Sequence, residues 1–134
     1  MIRGAKVIIL DPQNNMLVLY RSGTHPYVPN SPDLPGGKVE DGETMTEGLI
    51  REVREETGIS LHENELKLIS THDERNYFGY EYHLELFEST LAYRPDIVVS
   101  YEHEKYEWQP KDNVAIIGKL YSALLQAYQL SSTS

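Results

Sequence analysis

Three glutamates lie within one predicted helical turn of this chain and have the chemistry of metal ligands. Glu52, Glu55 and Glu56 stand at positions i, i+3 and i+4, so on an α-helix their side chains emerge over one patch. Like charges at this spacing destabilise a helix by roughly 0.2–0.5 kcal/mol per pair, so folding alone does not account for them. A hard divalent cation takes oxygen ligands, and we therefore expect this patch to bind one.

The glutamates belong to a longer pattern, GKVEDGETMTEGLIREVREETGI, at residues 37–59. This segment resembles the Nudix box, G-x5-E-x7-R-E-U-x-E-E-x-G-U, in which U is a bulky aliphatic residue. The resemblance implies a hydrolase that cleaves a nucleoside diphosphate linked to another group, X, with Mg²⁺ or Mn²⁺ held on the box helix. It also implies a three-layer α/β/α sandwich, with a mixed β-sheet between helices. Every defined position is filled, by Gly37, Glu43, Arg51, Glu52, Val53, Glu55, Glu56, Gly58 and Ile59.

The resemblance implies a role for each of the polar box residues. Glu52, Glu56 and the carbonyl of Gly37 would be metal ligands, and Glu55 would be a third ligand or the base that deprotonates water. The ions would neutralise charge on the pyrophosphate and lower the pKa of a bound water. Arg51 would orient a neighbouring carboxylate. The structural positions of the box are Gly37, Gly58 and Glu43, the last being the partner expected for Arg51.

A second segment, at residues 101–108, resembles the E-H-x4-W stretch found late in many Nudix sequences. Glu102 and His103 match it, which implies a carboxylate or histidine facing the metal cluster and a part in catalysis for both residues. Glu104 is a rival for the carboxylate role. The alternative is a charged surface loop that precedes a core tryptophan, Trp108.

The helix that carries the box has recognisable ends. Thr44 and Glu47 have the spacing of a capping box, which predicts a helix that begins near Met45. Gly58 stands where a helix ends in the left-handed conformation. Between these ends an apolar stripe predicts one face packed on a core, and its members are Leu49, Ile50 and Val53.

Hydrophobic periodicity predicts mainly strands in the rest of the chain. Strict alternation after Phe78 places Tyr80 and Tyr82 on a core-facing side. The length of 134 residues predicts a single domain over residues 1–134. Strands are predicted at residues 6–10, 16–20, 65–71, 78–86, 97–99 and 107–109, and a helix at residues 116–130.

Composition restricts the partners of the chain. Its net charge of −9 and the absence of a basic run argue against nucleic acid, and no P-loop is present. A small polyphosphate can still bind an acidic protein, because divalent ions reverse the local sign of charge. Arg21 and Arg75 are the candidate phosphate-binding residues. With no cysteine, spanning segment or signal pattern, we expect a cytoplasmic protein that acts on a small nucleotide without a membrane partner, and a homodimer is left open.

Two functions follow from this pattern. The first is metal-dependent hydrolysis of a pyrophosphate bond in a nucleoside triphosphate or nucleotide sugar. The second is a nucleotide-sensing module that keeps the fold and does not hydrolyse. The intact box favours the enzyme, because a sensor has no need of Arg51 together with all three glutamates.

Overall fold

The chain forms a mixed β-sheet with one α-helix in the parts that the structure describes. A computed structural model describes residues 1–23, 31–75, 79–100 and 103–113, with only the backbone of Glu104. The mixed sheet and the box helix that the family resemblance implied are confirmed, and they give an α+β fold. The predicted helix at residues 116–130 lies outside the described residues. The elements are β1 (Ile2–Leu10), β2 (Asn15–Arg21), β3 (Pro32–Asp33), β4 (Gly36–Lys38), α1 (Met45–Thr57), a 3-10 turn (Glu63–Glu65), β5 (Lys67–Arg75), β6 (Glu81–Thr90) and β7 (His103–Pro110).

The strands β1 and β2 are neighbours that separate along most of their length, and we call the space between them the fork. The strand order is β3-β2-β1-β6-β5, with β4 paired to β1 and β7 paired to β2. The strands β1 and β6 run parallel, and the other pairs are antiparallel. Among the described residues, β1 and β2 share a single register pair, Leu10 with Met16. Beyond that pair β1 turns to β4 and β2 turns to β3 and β7, so side chains from both branches can meet inside the fork.

The helix α1 begins and ends as its sequence predicts. The side chain of Thr44 accepts from the backbone of Glu47, and the side chain of Glu47 accepts from the backbone of Thr44. Gly58 closes the helix at φ 80° and donates to the carbonyl of Arg54. Leu49 and Val53 are fully buried against β1 and β2. Burying two such side chains contributes roughly 1.5–3 kcal/mol each, which fixes the helix to the sheet.

One predicted strand is absent and one predicted core residue is exposed. Residues 97–99 form no strand, and the backbone of Val98 instead donates to the carbonyl of Thr57 at the end of α1, at 3.0 Å. Tyr80 is 61% exposed and does not belong to the core. Strand β7 is longer than the predicted segment 107–109. Within the described residues, no helix is long and apolar enough to cross a membrane.

Candidate active site

The first group of charges surrounds Arg51 on the helix α1. Its guanidinium binds Glu43 through two hydrogen bonds, from Nε to Oε2 at 2.8 Å and from Nη2 to Oε1 at 3.0 Å. The same guanidinium donates to Glu52 and Glu55, each at 3.2 Å, and to the carbonyl of Lys38 at 3.1 Å. The hydrogen bonds from Arg51 lower the pKa of Glu43 to about 2. We call this group the helix cluster, and its members are Arg51, Glu43, Glu52 and Glu55.

The three glutamates of the predicted metal patch point in different directions. Glu52 lies against Gly37, and the side chain of Glu55 is 57% exposed beside Arg51. Glu56 is buried, and its Oε1 accepts a 2.7 Å hydrogen bond from the backbone of Gly36. In the described part of the chain, no three acidic or histidine side chains converge on one point as a metal site. Two of the carboxylates are instead gathered along the strand β4.

Two glycines make this gathering sterically feasible. A Cβ on Gly36, where φ is 123°, would lie 2.2 Å from the carbonyl oxygen of Ala5, so only glycine fits between β4 and β1. A Cβ on Gly37 would lie 3.0 Å from the carboxyl carbon of Glu52. The missing Cβ leaves room for a carboxylate against the backbone. The groups that could bind a metal here, carboxylates and backbone carbonyls, all offer oxygen atoms. This donor set fits the hard cation that the sequence predicts.

A second group of charges lies inside the fork, and neither Lys6 nor Asp33, which form its centre, was singled out from the sequence. The ammonium of Lys6 lies 3.3 Å from both carboxylate oxygens of Asp33 and donates to the carbonyls of Leu34, at 3.1 Å, and Gly36, at 2.9 Å. Nη2 of Arg21 lies 3.3 Å from Oδ2 of the same carboxylate. Burial alone would raise the pKa of Asp33, but Lys6, His103 and Arg21 together hold it well below its usual range. The sequence did contain one signal for this group, because Lys6 is a charged residue at the start of the apolar strand predicted at residues 6–10.

His103 joins this group from β7. Its Nε2 lies 3.7 Å from Asp33 and 3.9 Å from Glu56, and its side chain is 3% exposed. Burial raises the pKa of Glu56 to about 7, although Lys6 and the backbone of Gly36 oppose that rise. We call this group the buried cluster, and its members are Lys6, Arg21, Asp33, Glu56 and His103.

The loop before β7 is tied to the box helix. Ser100 donates to the carbonyl of Glu56 at 3.2 Å, and His103 donates to the carbonyl of Ser100 at 3.1 Å. These bonds bring His103, which is part of the predicted E-H-x4-W stretch, close to the box helix. Glu102 and the side chain of Glu104 lie outside the described residues, so the choice between them stays a prediction.

The two candidate phosphate-binding arginines both contact protein groups. Arg21 donates to the hydroxyl of Ser31 at 3.0 Å in addition to its pair with Asp33, and its side chain is 13% exposed. Arg75 pairs with Glu81 at the end of β5 and is 66% exposed. Contact with phosphate stays a prediction for both residues.

Comparisons with known proteins establish the family. The NUDIX domain model matches residues 2–129, and the chain therefore belongs to the Nudix family. It is 36% identical over 52 residues to the 8-oxo-dGTP diphosphatase of Escherichia coli (strain K12), a match that covers 39% of this chain and 40% of that protein. It is 35% identical over 66 residues to the 8-oxo-dGTP diphosphatase of Proteus vulgaris, which covers 49% of this chain and 58% of that protein. The chain thus spans about half the length of these curated relatives.

Solved structures share the fold over nearly the whole chain. The MutT protein from Methanosarcina mazei Go1 has a TM-score of 0.81 at 23% identity, covering 99% of this chain and 96% of that one. The C. elegans Ap4A hydrolase binary complex has a TM-score of 0.74 at 21% identity, covering 99% and 98%. At these identities the likeness shows the fold alone.

Proposed function

We propose that the chain hydrolyses a pyrophosphate bond of a nucleoside triphosphate in the presence of a divalent cation. The observation that carries this proposal is the approach of Glu52 and Glu56 to the Gly36–Gly37 backbone within a complete box. Relatives named 8-oxo-dGTP diphosphatase make a triphosphate with an oxidised guanine the first substrate to test. A nucleotide sugar is the second, because the box itself does not specify the group X.

Two glutamates of the helix α1 and the backbone of β4 would hold the ion. Glu52, Glu56 and the carbonyl of Gly37 supply hard oxygen donors for Mg²⁺ or Mn²⁺. Such an ion, when bound, neutralises developing phosphate charge and makes water a better nucleophile. The chain's own residues then have three tasks: they bind the ion, they orient its carboxylate ligands, and they accept a proton from water.

Arg51 performs the orienting task. Its hydrogen bonds to Glu43 fix the guanidinium, and its third nitrogen then holds Glu52 and Glu55 at 3.2 Å. Glu55 is the most exposed of these carboxylates, so it is the one available to accept a proton from an attacking water. Glu102 is proposed as a further carboxylate for that water. His103, being buried beside Glu56, would act through that glutamate.

A nucleotide panel tests the proposal. Purified protein is incubated with dGTP, 8-oxo-dGTP, ATP, ADP-ribose, UDP-glucose and diadenosine tetraphosphate, each with Mg²⁺, Mn²⁺ or excess chelator, and products are identified by mass spectrometry in ¹⁸O-labelled water. We expect a nucleoside monophosphate and pyrophosphate from a triphosphate, with no turnover in chelator. Nucleotide binding without cleavage of any member would favour the sensing module instead.

The substitution Glu52→Gln tests the donor set directly. Loss of one charged metal ligand from a site that stabilises developing charge should raise the activation barrier by ~3–4 kcal/mol. This corresponds to a fall in kcat of about two to three orders of magnitude. The matched control is Asp41→Asn, which removes the same charge from an exposed position within the box and should leave kcat within about twofold. Equal activity in the two variants would remove Glu52 from the site.

A further inference from the structure

Lys6 has contacts that a surface lysine lacks. Its side chain is 14% exposed, and its ammonium is surrounded by the carboxylate of Asp33 and the carbonyls of Leu34 and Gly36. A buried ammonium is costly unless it is paired and hydrogen-bonded. These oxygens meet that requirement, so the fork contains a favourable position for a positive charge, which Lys6 occupies. We call it the cation position.

This cation position shares its backbone with the box. The N–H of Gly36 donates to Glu56 at 2.7 Å, while the carbonyl of the same residue accepts from Lys6 at 2.9 Å. The next residue, Gly37, lies against Glu52. Lys6 and two box carboxylates therefore flank the same two-residue stretch of β4.

The charges around Glu56 nearly balance. Asp33 and Glu56 are the carboxylates of the buried cluster, Lys6 and Arg21 are its fixed cations, and His103 contacts both carboxylates. Without Lys6, two buried carboxylates would face Arg21 and a histidine. Like any fixed positive charge near an acidic site, Lys6 also opposes the entry of a second cation.

We propose that Lys6 is the resident counter-ion of the box and limits its affinity for divalent cations. It acts through Asp33, Glu56 and the Gly36 carbonyl, and it is a positioning residue that does not touch the substrate. The consequence for function is a site that is stable without an ion and that accepts one readily when nucleotide phosphates add negative charge. This inference rests on the cation-binding part of the proposed function.

The test compares four variants for Mn²⁺ binding without nucleotide. Lys6→Met removes the charge, Lys6→Gln removes the charge but keeps a donor for the Gly36 carbonyl, and Lys6→Arg keeps the charge. The matched control is Lys38→Met, which removes the same charge from an exposed position beside Gly37. Binding is measured by electron paramagnetic resonance on chelator-stripped protein, and thermal unfolding is followed with and without Mn²⁺.

We expect Lys6→Met and Lys6→Gln to bind Mn²⁺ at least about tenfold more tightly than the wild-type protein, because a repulsive charge is removed from a weakly screened position. Their chelated forms should unfold at least about 5 °C lower, and Mn²⁺ should restore most of that loss. Lys6→Arg should resemble the wild type. Lys38→Met should change affinity by less than about threefold, since solvent screens its charge.

Each contrary outcome has a distinct meaning. Unchanged or weaker binding by folded Lys6→Met and Lys6→Gln would overturn the inference, and so would variants that stay unfolded in saturating Mn²⁺, because the ion should replace the missing charge. Variants that fold only when Mn²⁺ is added would support it. A wild-type protein that binds no Mn²⁺ would overturn the proposed function itself, whereas wild-type binding with no gain in the variants overturns only the role of Lys6.

Discussion

The helix cluster and the buried cluster use the same kinds of charge in different surroundings. The guanidinium of Arg51 is 25% exposed and its partner Glu43 is 22% exposed, whereas Asp33 in the buried cluster is 5% exposed and His103 is 3% exposed. Water can reach and screen the first group, and it scarcely reaches the second. A charge removed from the helix cluster is compensated by solvent, while a charge removed from the buried cluster leaves its partners uncompensated. The two groups should therefore differ in their contribution to folding even though both adjoin the box.

The substitution Asp33→Asn gives the largest effect expected on stability. It leaves the half-buried cations Lys6 and Arg21 without the buried carboxylate that they share, and breaking a buried pair in this way costs about 3–5 kcal/mol. Urea denaturation measures the loss, with Asp112→Asn, at an exposed position, as the control. A loss equal to that of the control would mean that solvent reaches the buried cluster after all.

The substitution Arg51→Gln should have a smaller effect on stability. It removes the cation that binds Glu43, Glu52 and Glu55, but these partners are partly solvated and can be stabilised by water. We expect a shift in the urea midpoint well below that of Asp33→Asn. In 1 M NaCl the effect of Arg51→Gln should shrink further, and that of Asp33→Asn should persist. If both variants respond to salt alike, exposure is not what separates the two clusters.

The smallest effect on stability is expected for a third group of charges, on β5 and β6, and this effect depends on pH. His83 lies between Asp73 at 2.7 Å and Glu85 at 2.6 Å, and these hydrogen bonds raise its pKa above the ordinary value of 6.5. A histidine with a raised folded-state pKa stabilises the fold fully below 6.5, and this contribution is lost as the pH rises through the raised value. The stability difference between the wild type and His83→Asn should therefore shrink with rising pH across that interval. Thermal unfolding at several pH values measures it, and a difference that grows with pH contradicts the assignment.

The sequence predicted the ends of α1 and the Arg51–Glu43 pair, because these contacts are local. Thr44 and Gly58 set the ends of α1, and Arg51 lies eight residues from Glu43 on the same box. Contacts of this kind follow from helical spacing and capping chemistry.

Arg21, Glu56 and His103 of the buried cluster were candidates from the sequence, but Lys6 and Asp33 were missed because strand register brings them together. Lys6 meets Asp33 only after β1 pairs with β4 and β2 pairs with β3, and no local pattern encodes those pairings. The error at residues 97–99 has a related cause. The β-branched run at residues 97–99 is typical of a strand, but the backbone of Val98 donates to the carbonyl of Thr57 at the end of α1. Tyr80 fits the alternation of β6 and yet precedes its first paired residue, Glu81.

The fork between β1 and β2 also bears on how related proteins can diverge. One branch, β1 with β4, carries Lys6 and leads into the box helix, and the other, β2 with β3 and β7, carries Asp33 and His103. The branches share a single register pair near the turn, and Asp33 and His103 both lie outside the box at residues 37–59. A lineage can thus exchange the residues behind Glu56 while its box stays identical. If Lys6 limits cation affinity as proposed, two relatives with identical boxes would differ in the concentration of divalent cation that they require.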